Sequence, residues 1–293
     1  MAVRPQRSQG LTDAATAGGD ALDLEKIELD CLLEAAFRRY GFDFREYAPA
    51  SLRRRVNRRL QLEGLETISA LQERLLREPD LMQRLLLDLS INVTTMFRDP
   101  AFYAAVREQV VPLLKTYPFT RIWVAGCSTG EEVYSLAILL DEEGLYDRTR
   151  IYATDINEEV LDRARLGVFP LAKMQDYTRN YIEAGGKQAF ADYYTSAYDG
   201  AAFDRSLLRN VVFAQHNLAS DRGFNEFHVI LCRNVMIYFE RTLQERVFAL
   251  FDESLMRLGI LALGAKESLR MSASAAKYEE LDPIERIYRK VKA

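Results

Sequence analysis

A glycine-containing turn near the middle of the chain carries the clearest chemical signal in the sequence. Between Ile122 and Leu140, in IWVAGCSTGEEVYSLAILL, an apolar strand runs into Gly126 and Gly130 and then directly into an apolar helix. The glycines let the backbone approach a ligand closely, and the first turn of the helix presents free N–H groups to it. The segment therefore predicts a nucleotide-binding turn.

The details of this turn argue against a phosphate ligand. Its Gly-x-x-x-Gly spacing lacks the third glycine of a dinucleotide fingerprint, and no Gly-Lys-Ser/Thr is present to hold a triphosphate. Glu131 and Glu132 would repel a phosphate, whereas they suit the sulfonium and ammonium groups of S-adenosylmethionine. Either acid could instead complement the N-terminus of the helix, and both interpretations stay open.

Polar residues also follow two other predicted strands. Asp155 ends the second strand, where a carboxylate can accept hydrogen bonds from ribose hydroxyls; its alternative role is to cap the next helix. Arg233 and Asn234 follow a later strand, and Tyr238 comes four residues after Asn234. Because open α/β sheets bind ligands at the carboxyl ends of their strands, we expect these side chains to converge.

The elements that must position these residues form two groups. Helical periodicity predicts helices at 22–40, after Pro49, at 68–77 and at 81–89, and after Asp99 and Pro100 the pattern becomes alternating helices and strands. The predicted strands are Ile122 to Ala125, Ile151 to Thr154, Val211 to Ala214, Val229 to Cys232, Ile260 to Leu263 and Ile287 to Val291. The fold class is therefore α/β behind a small all-α domain, and the last two strands pair.

These patterns predict the domain boundaries. Residues 1–21 lack periodicity and are expected to be a disordered tail, 22–90 to form the helical domain, and 91–293 to form the α/β domain. A stretch at about 169–208 is rich in Tyr, Gly and Asp, which favours an inserted subdomain with a few antiparallel strands over a single crossover helix.

Composition narrows the class of protein. No stretch approaches the about 20 apolar residues that cross a bilayer, and the N-terminus has no apolar core for a secretory signal, so we expect a cytoplasmic protein without membrane insertion. A net charge of −4 argues against a general nucleic-acid binder. The three cysteines and two histidines show no metal-ligand spacing, and neither histidine has a clear nucleophile partner.

One helix concentrates positive charge. Leu52, Val56 and Leu60 form its predicted inward stripe, with Ser51 as a possible cap. Five arginines occupy its other faces: Arg53, Arg54, Arg55, Arg58 and Arg59. The charge faces either water or an acidic partner; nucleic acid is less favoured because the helix has little aromatic interleaving.

From about Glu28 to the C-terminus, the chain resembles the CheR family of protein-glutamate methyltransferases. The resemblance rests on SLRRRVNRRL, NVTTMFRD, STGEEVYSLA, ATDINEEVLDRARLGVF and LCRNVMIYF. It implies a Rossmann-like S-adenosylmethionine-dependent methyltransferase domain with an inserted β-subdomain. It also implies methyl transfer from S-adenosylmethionine to glutamate side chains of a chemoreceptor-like signalling protein, whose cytoplasmic helices would contact the arginine helix.

The resemblance also assigns site residues. Those implied to contact the cofactor are Asn92, Thr94, Arg98, Glu132, Asp155, Asn217, Leu218, Asn234 and Val235. Arg98, Arg233 and Tyr238 match residues that line the reaction centre. The segment Leu263 to Ser268 departs from the family's more usual His-Ser-Glu type, and the inserted subdomain has an atypical composition. The identity of the substrate, and whether a receptor tail peptide tethers it, therefore stay open.

The chemistry needs no catalytic histidine, since a glutamate side chain with a pKa near 4.3 is already an anion at neutral pH. The alternatives are a methyltransferase of the same fold that acts on a small molecule or nucleic acid, and a non-catalytic sensor that binds S-adenosylmethionine.

Overall fold

The computed structural model describes residues 13–90 and 92–292 of the chain. The chain forms two compact units, and the boundary between them in the sequence falls between Leu89 and Ser90. No helix within the described ranges is both long enough and apolar enough to cross a membrane.

The first unit is all-helical. Its helices are α1 (Asp13–Tyr40), α2 (Pro49–Glu63), α3 (Ile68–Arg77) and α4 (Pro79–Leu89). The first helix thus begins before the predicted start at residue 22, and residues 1–12 of the predicted tail lie outside the described residues. Leu52, Val56 and Leu60 are buried as predicted. Ser51 does not cap α2, which begins at Pro49 with Ala48 at the cap position, because the proline ring already has a helical φ.

Only some of the apolar residues that recur at helical spacing in α1 are buried. Leu24, Ile27 and Cys31 are exposed, whereas Leu32 is buried. The buried residues of this helix are Leu29, Leu32, Leu33 and Ala36. Apolar residues occur on two faces of α1, and packing against α3 decides which face is buried.

The second unit is built on a seven-stranded sheet. Its strands are β1 (Thr120–Ala125), β2 (Thr149–Asp155), β6 (Val211–Gln215), β7 (Phe227–Cys232), β8 (Leu255–Leu263), β9 (Tyr278–Asp282) and β10 (Ile287–Lys290), in the order β6-β2-β1-β7-β8-β10-β9. The first five are parallel, and β10 runs antiparallel to β8 and β9. The predicted pairing of the last two strands is confirmed, whereas β9 was not predicted.

Helices surround this sheet. They are α5 (Pro100–Ala105), α6 (Val111–Leu114), α7 (Glu131–Glu142), α8 (Glu158–Leu166), α9 (Met174–Glu183) and α10 (Arg241–Ser254), with a π-helical turn at Val106–Val110. The strands β1, β2, β6 and β7 are parallel, so their carboxyl ends, and the polar residues that follow them, share one edge of the sheet.

The predicted inserted subdomain is a three-stranded antiparallel sheet. It contains β3 (Val168–Pro170), β4 (Tyr194–Ala197) and β5 (Gly200–Phe203), in the order β3-β5-β4. The carboxylate of Glu142 on α7 is fully buried and accepts hydrogen bonds from the hydroxyls of Tyr181 and Tyr193, from the backbone of Lys187, and from Arg107. This carboxylate therefore connects the insertion to the main domain.

Candidate functional site

The glycine turn after β1 is attached to the end of β2. The backbone N–H groups of Gly126 and Cys127 both donate to the carbonyl of Thr154, at 2.8 and 2.9 Å. The N–H of Ser128 donates to Oδ2 of Asp155 at 2.9 Å. Gly126 has a φ of 75°, which favours glycine. The turn and the acid that sequence patterns placed together are therefore in direct contact.

Asp155 is buried at the tip of β2, with 8% of its surface exposed. Its Oδ1 accepts from the backbone N–H of Asn157 at 3.1 Å. Burial raises the pKa of Asp155, and the N–H groups of Asn157 and Ser128 partly oppose this rise. The side chain that caps α8 is that of Asn157, which accepts from Glu159 at 3.0 Å, so the alternative of Asp155 as the cap is wrong.

The segment before α5 lies against the same turn. Oδ1 of Asn92 accepts from the Ser128 hydroxyl at 3.3 Å, and the N–H of Phe97 donates to the Ser135 hydroxyl at 2.8 Å. Thr94 is half-buried within this segment. The guanidinium of Arg98 donates to the Val93 carbonyl at 3.1 Å. The structure thus brings Asn92 to the glycine turn.

Arg233 is buried and forms an ion pair with the half-buried Glu132. One guanidinium nitrogen of Arg233 lies 2.9 Å from Oε1 of Glu132, and another lies 2.9 Å from Oδ2 of Asp99 and 3.1 Å from the Arg98 carbonyl. The same guanidinium stacks on Phe102, with its central carbon 3.9 Å from the ring centroid. Arg233 is therefore bound on several sides by protein groups. The pairing with Asp99 explains why Asp99, at the cap position of α5, makes no side-chain cap hydrogen bond.

The two predicted acids of α7 differ in environment. Glu131 is buried and accepts from the hydroxyls of Thr129 at 2.6 Å and Tyr177 at 3.2 Å. Its side chain thus bonds to the turn and to α9, while that of Glu132 bonds to Arg233.

Two amide side chains at this edge hold buried atoms without a protein partner. Oδ1 of Asn217 accepts from the N–H of Ala219, but Nδ2 of Asn217 has no partner among the described residues, and neither has Oδ1 of Asn234. Buried polar atoms in proteins are normally hydrogen-bonded. The unpaired donor of Asn217 and the unpaired acceptor of Asn234 could both bind a polar ligand, such as an adenosyl group that carries an amino acid moiety. Leu218, next to Asn217, is half-buried.

Asn234, Val235 and Tyr238 lie in the turn after β7. Asn234 has a left-handed φ of 61°, and Val235 packs on Gly126. Tyr238 is half-buried at the end of a short 3₁₀ turn, and its N–H donates to the Val235 carbonyl at 3.4 Å. The turns after β1 and β7 are therefore in contact.

Sequence patterns did not single out Glu267, which organises this turn. Its carboxylate accepts from the backbone of residues 234–237 and of Gly264. The sequence feature that could have identified Glu267 is its place as an acid four residues after the end of β8, the strand that pairs with β7. In the sequence, the segment Leu263 to Ser268 stood out only as a departure from the family pattern.

Both histidine rings have partners within the α/β unit. The ring of His216 packs edge-on against Trp123, with centroids 5.2 Å apart, and Nε2 lies 3.2 Å from the Arg222 carbonyl. Nδ1 of His228 accepts from the N–H of Arg121 near the start of β7, the opposite end from Arg233.

The arginines of α2 divide into two classes. Arg59 is buried and pairs with Asp88 and Glu63, and Arg55 donates to the carbonyls of Asp88 and Leu89. Arg54 and Arg58 are exposed, and the half-buried Arg53 lies 3.4 Å from Glu25. Part of the arginine pattern therefore stabilises the helical unit.

Comparisons with known proteins cover both units. The family profile described as CheR methyltransferase, all-alpha domain, matches residues 27–90, and that described as CheR methyltransferase, SAM binding domain, matches residues 92–283. The protein named "Putative methyltransferase Cher3" of Pseudomonas putida is 52% identical over 264 residues, which cover 90% of this chain and 97% of that protein.

Two further proteins are more distant. "Chemotaxis protein methyltransferase 2" of Pseudomonas aeruginosa is 32% identical over 262 residues, or 88% of this chain and 92% of that protein. The solved structure of magnesium protoporphyrin IX methyltransferase from Synechocystis PCC 6803 with bound SAM is 16% identical. It covers 66% of this chain and 81% of its own, with a TM-score of 0.36.

Proposed function

This chain belongs to the CheR methyltransferase family and uses S-adenosylmethionine, and from this premise we propose that it methylates glutamate side chains of a chemoreceptor-like signalling protein. The name of the Pseudomonas aeruginosa relative, a chemotaxis protein methyltransferase, supports a substrate in that class. The proposed site of action is the cytoplasm, where the helices of such receptors would be accessible to this enzyme.

The observation that carries the proposal is the contrast between the two arginines at the site. Arg233 is occupied by Glu132 and Asp99. Arg98 is half-buried, and among residues 13–90 and 92–292 its guanidinium has a hydrogen bond only to the Val93 carbonyl. A guanidinium offers planar, paired donors that match a carboxylate. Of the two arginines, Arg98 is therefore the cation that we assign to the incoming glutamate.

The cofactor, when bound, supplies an electrophilic methyl group on a sulfonium. We assign its ribose to Asp155, its adenine side to Asn217 and Leu218, and further contacts to Asn234 and Val235. The remaining proposed cofactor contacts are Asn92, Thr94 and Arg98, in the segment before α5. Glu132 acts in this scheme through its ion pair with Arg233, which holds that arginine at the edge of the site.

The chain's own contribution to methyl transfer is orientation. The substrate carboxylate is an anion at neutral pH, so no residue has to remove a proton from it. Arg98 would hold this carboxylate, and the Tyr238 hydroxyl would align it toward the methyl carbon. Orientation of this kind can contribute about 7–11 kcal/mol in favourable cases.

We assign docking of the substrate to the exposed arginines of α2. Arg54 and Arg58 project into solvent, with Arg53 beside them, whereas Arg55 and Arg59 bind within the helical unit. Basic side chains at a rim mainly steer an acidic partner and set the salt dependence of association.

The test is incubation of the purified protein with methyl-labelled S-adenosylmethionine and a receptor cytoplasmic fragment. The proposal predicts label on the fragment that mild base releases as methanol, because the product is a carboxyl methyl ester. A matched fragment in which the candidate glutamates are replaced by alanine should take up no label.

Other outcomes identify the alternatives. Label that resists base, or label on a small molecule or nucleic acid, would contradict protein-glutamate specificity. Binding of the cofactor without transfer to any acceptor would indicate a sensor.

A further inference from the structure

We propose that Glu267 is a positioning residue for the methyltransferase site, because its carboxylate holds the turn that carries Asn234, Val235 and Tyr238. The inference rests on the proposed function for the roles of those three residues. It concerns a side chain that touches neither cofactor nor substrate in our assignment and that acts through the backbone of its neighbours.

The carboxylate of Glu267 collects five backbone N–H groups. Oε2 accepts from Asn234 at 2.9 Å and Gly264 at 2.7 Å. Oε1 accepts from Val235 at 2.9 Å, Met236 at 2.7 Å and Ile237 at 3.3 Å. Four of the five donors are consecutive, so the chain wraps around a single charged acceptor.

This arrangement depends on burial and charge together. Glu267 has 5% of its surface exposed, and burial raises the pKa of its carboxyl group, while the N–H groups from Gly264, Asn234, Met236 and Val235 oppose that rise. The N–H groups of residues 234–237 all donate to this carboxylate, so its removal would take that acceptor away from each of them. A buried N–H without a partner is destabilising.

Gly264 allows the segment after β8 to lie close to this turn. A Cβ at Gly264 would lie 2.7 Å from the backbone nitrogen of Asn234 and 2.8 Å from Oε2 of Glu267. Only a residue without a side chain lets the end of β8 approach the turn this closely. The turn after β7 and the segment after β8 are thus one unit, with Glu267 at its centre.

The experiment compares Glu267→Gln with Glu142→Gln. Both residues are buried carboxylates that accept several hydrogen bonds, but Glu142 connects α7 to the inserted subdomain, and its donors are Arg107, Tyr181, Lys187 and Tyr193. Gln keeps the size of the side chain but replaces one acceptor oxygen by an NH₂ donor. At residue 267 that donor would face backbone N–H groups whichever way the amide is turned, because both carboxylate oxygens accept from such groups. Both variants are first shown to be folded by thermal melting, and calorimetry with S-adenosylhomocysteine is then done well below both melting temperatures.

We expect Glu267→Gln to weaken S-adenosylhomocysteine binding about tenfold or more, because the turn that carries Asn234 and Val235 loses its charged acceptor, and Glu142→Gln to change it less than about twofold. With labelled cofactor at saturating concentration, Glu267→Gln should also lower kcat, because Tyr238 lies in the same turn. Equal losses of affinity in the two variants would overturn the inference, because they would show that replacing any buried carboxylate of this domain weakens binding equally.

Two further outcomes are interpretable. If Glu267→Gln does not fold, Glu267→Asp, which keeps the charge and shortens its reach, is compared with Glu142→Asp by the same criterion. If the wild-type protein binds S-adenosylhomocysteine but methylates no receptor fragment, the proposed function fails, while the role of Glu267 is still decided by the affinity comparison.

Discussion

Val235 packs directly on Gly126, so that a Cβ built at Gly126 would lie 2.5 Å from Cγ2 of Val235. Gly126 begins the turn after β1, and Val235 lies in the turn after the neighbouring strand β7. The contact closes the space between two turns that carry proposed cofactor residues. A change at either residue should therefore alter the site.

Gly126→Ala should destabilise the protein and weaken cofactor binding. The left-handed φ of 75° costs a residue with a Cβ about 1–2 kcal/mol, and the overlap with Val235 adds about 1–3 kcal/mol. Gly144→Ala is the matched control, because Gly144 has a φ of 67° and an added Cβ there would meet no atom within 4 Å. Chemical unfolding should show a larger loss for Gly126→Ala, and calorimetry with S-adenosylhomocysteine should show weaker binding for that variant alone. If Gly126→Ala bound S-adenosylhomocysteine with wild-type affinity, Gly126 would not be part of the cofactor site.

Affinity for S-adenosylhomocysteine should fall as the pH is lowered, because an ionised Asp155 accepts stronger hydrogen bonds from ribose hydroxyls than the protonated form, which has turned one oxygen into a donor. Burial raises the pKa of Asp155 in the free protein, so protonation begins at a higher pH than for an ordinary aspartate. The affinity is therefore full above that raised pKa and is lost as pH falls through it. Calorimetry from about pH 7 to about pH 5 measures the effect.

Asp155→Asn supplies the control for this pH dependence. It should bind about 10- to 100-fold more weakly at neutral pH, since it removes charge-assisted hydrogen bonds. The ratio of wild-type to variant affinity should shrink toward low pH, where both side chains are neutral. A ratio that stays constant with pH would mean that another group controls binding.

The parallel part of the fold could be predicted because its strands are nearly continuous apolar runs. Strands buried on both faces, such as β1 and β7, produce this pattern directly. The strand β9 has the sequence YEELD and lies at the edge of the sheet, where charged residues are tolerated and leave no apolar alternation to detect. The inward face of α1 depended on which of its apolar stripes packs against α3, which local periodicity does not encode.

Site residues that directly follow a strand could be predicted from the sequence, whereas those that depend on contacts between distant parts of the chain could not. Asp155 and Asn234 stand at carboxyl ends of strands that both pair with β1, a position fixed by the parallel order. The pairing of Arg233 with Asp99 joins residues far apart in sequence. Glu267 acts by gathering backbone N–H groups, which have no residue-type signature, so no spacing rule could identify it.

Arg98→Ala and Tyr238→Phe should each lower the rate of methyl transfer more than cofactor affinity. Loss of carboxylate alignment can cost about a hundredfold in kcat, whereas most of the proposed cofactor contacts lie elsewhere. Steady-state rates with labelled cofactor and a receptor fragment, together with calorimetry, separate the two effects. Arg163→Ala is the control, because Arg163 pairs only with Glu159 on the exposed face of α8 within the described residues. Unchanged turnover in both site variants would remove them from the reaction centre.

Reversing the exposed charges of α2 should raise the KM for the receptor fragment and leave the affinity for S-adenosylhomocysteine unchanged. Arg54 is exposed, so Arg54→Glu should act on docking without disturbing the buried Arg59–Asp88 pair. The side chain of Arg58 is 71% exposed but lies 4.0 Å from Asp88, so the free energy of unfolding of Arg58→Glu is measured together with its KM. Exposed charge pairs contribute about 0.2–1 kcal/mol, which corresponds to at most about a fivefold change in KM for each arginine.

The control for these reversals is Arg77→Glu at the end of α3, where the side chain is 76% exposed and the change in net charge is the same. If α2 is the docking surface, Arg77→Glu should change KM less than either α2 variant. Added salt should raise the KM of the wild-type protein and narrow its difference from the α2 variants, because screening weakens exposed charge interactions. Equal effects of all three reversals would indicate only a general response to net charge and would rule out α2 as a specific contact for the receptor.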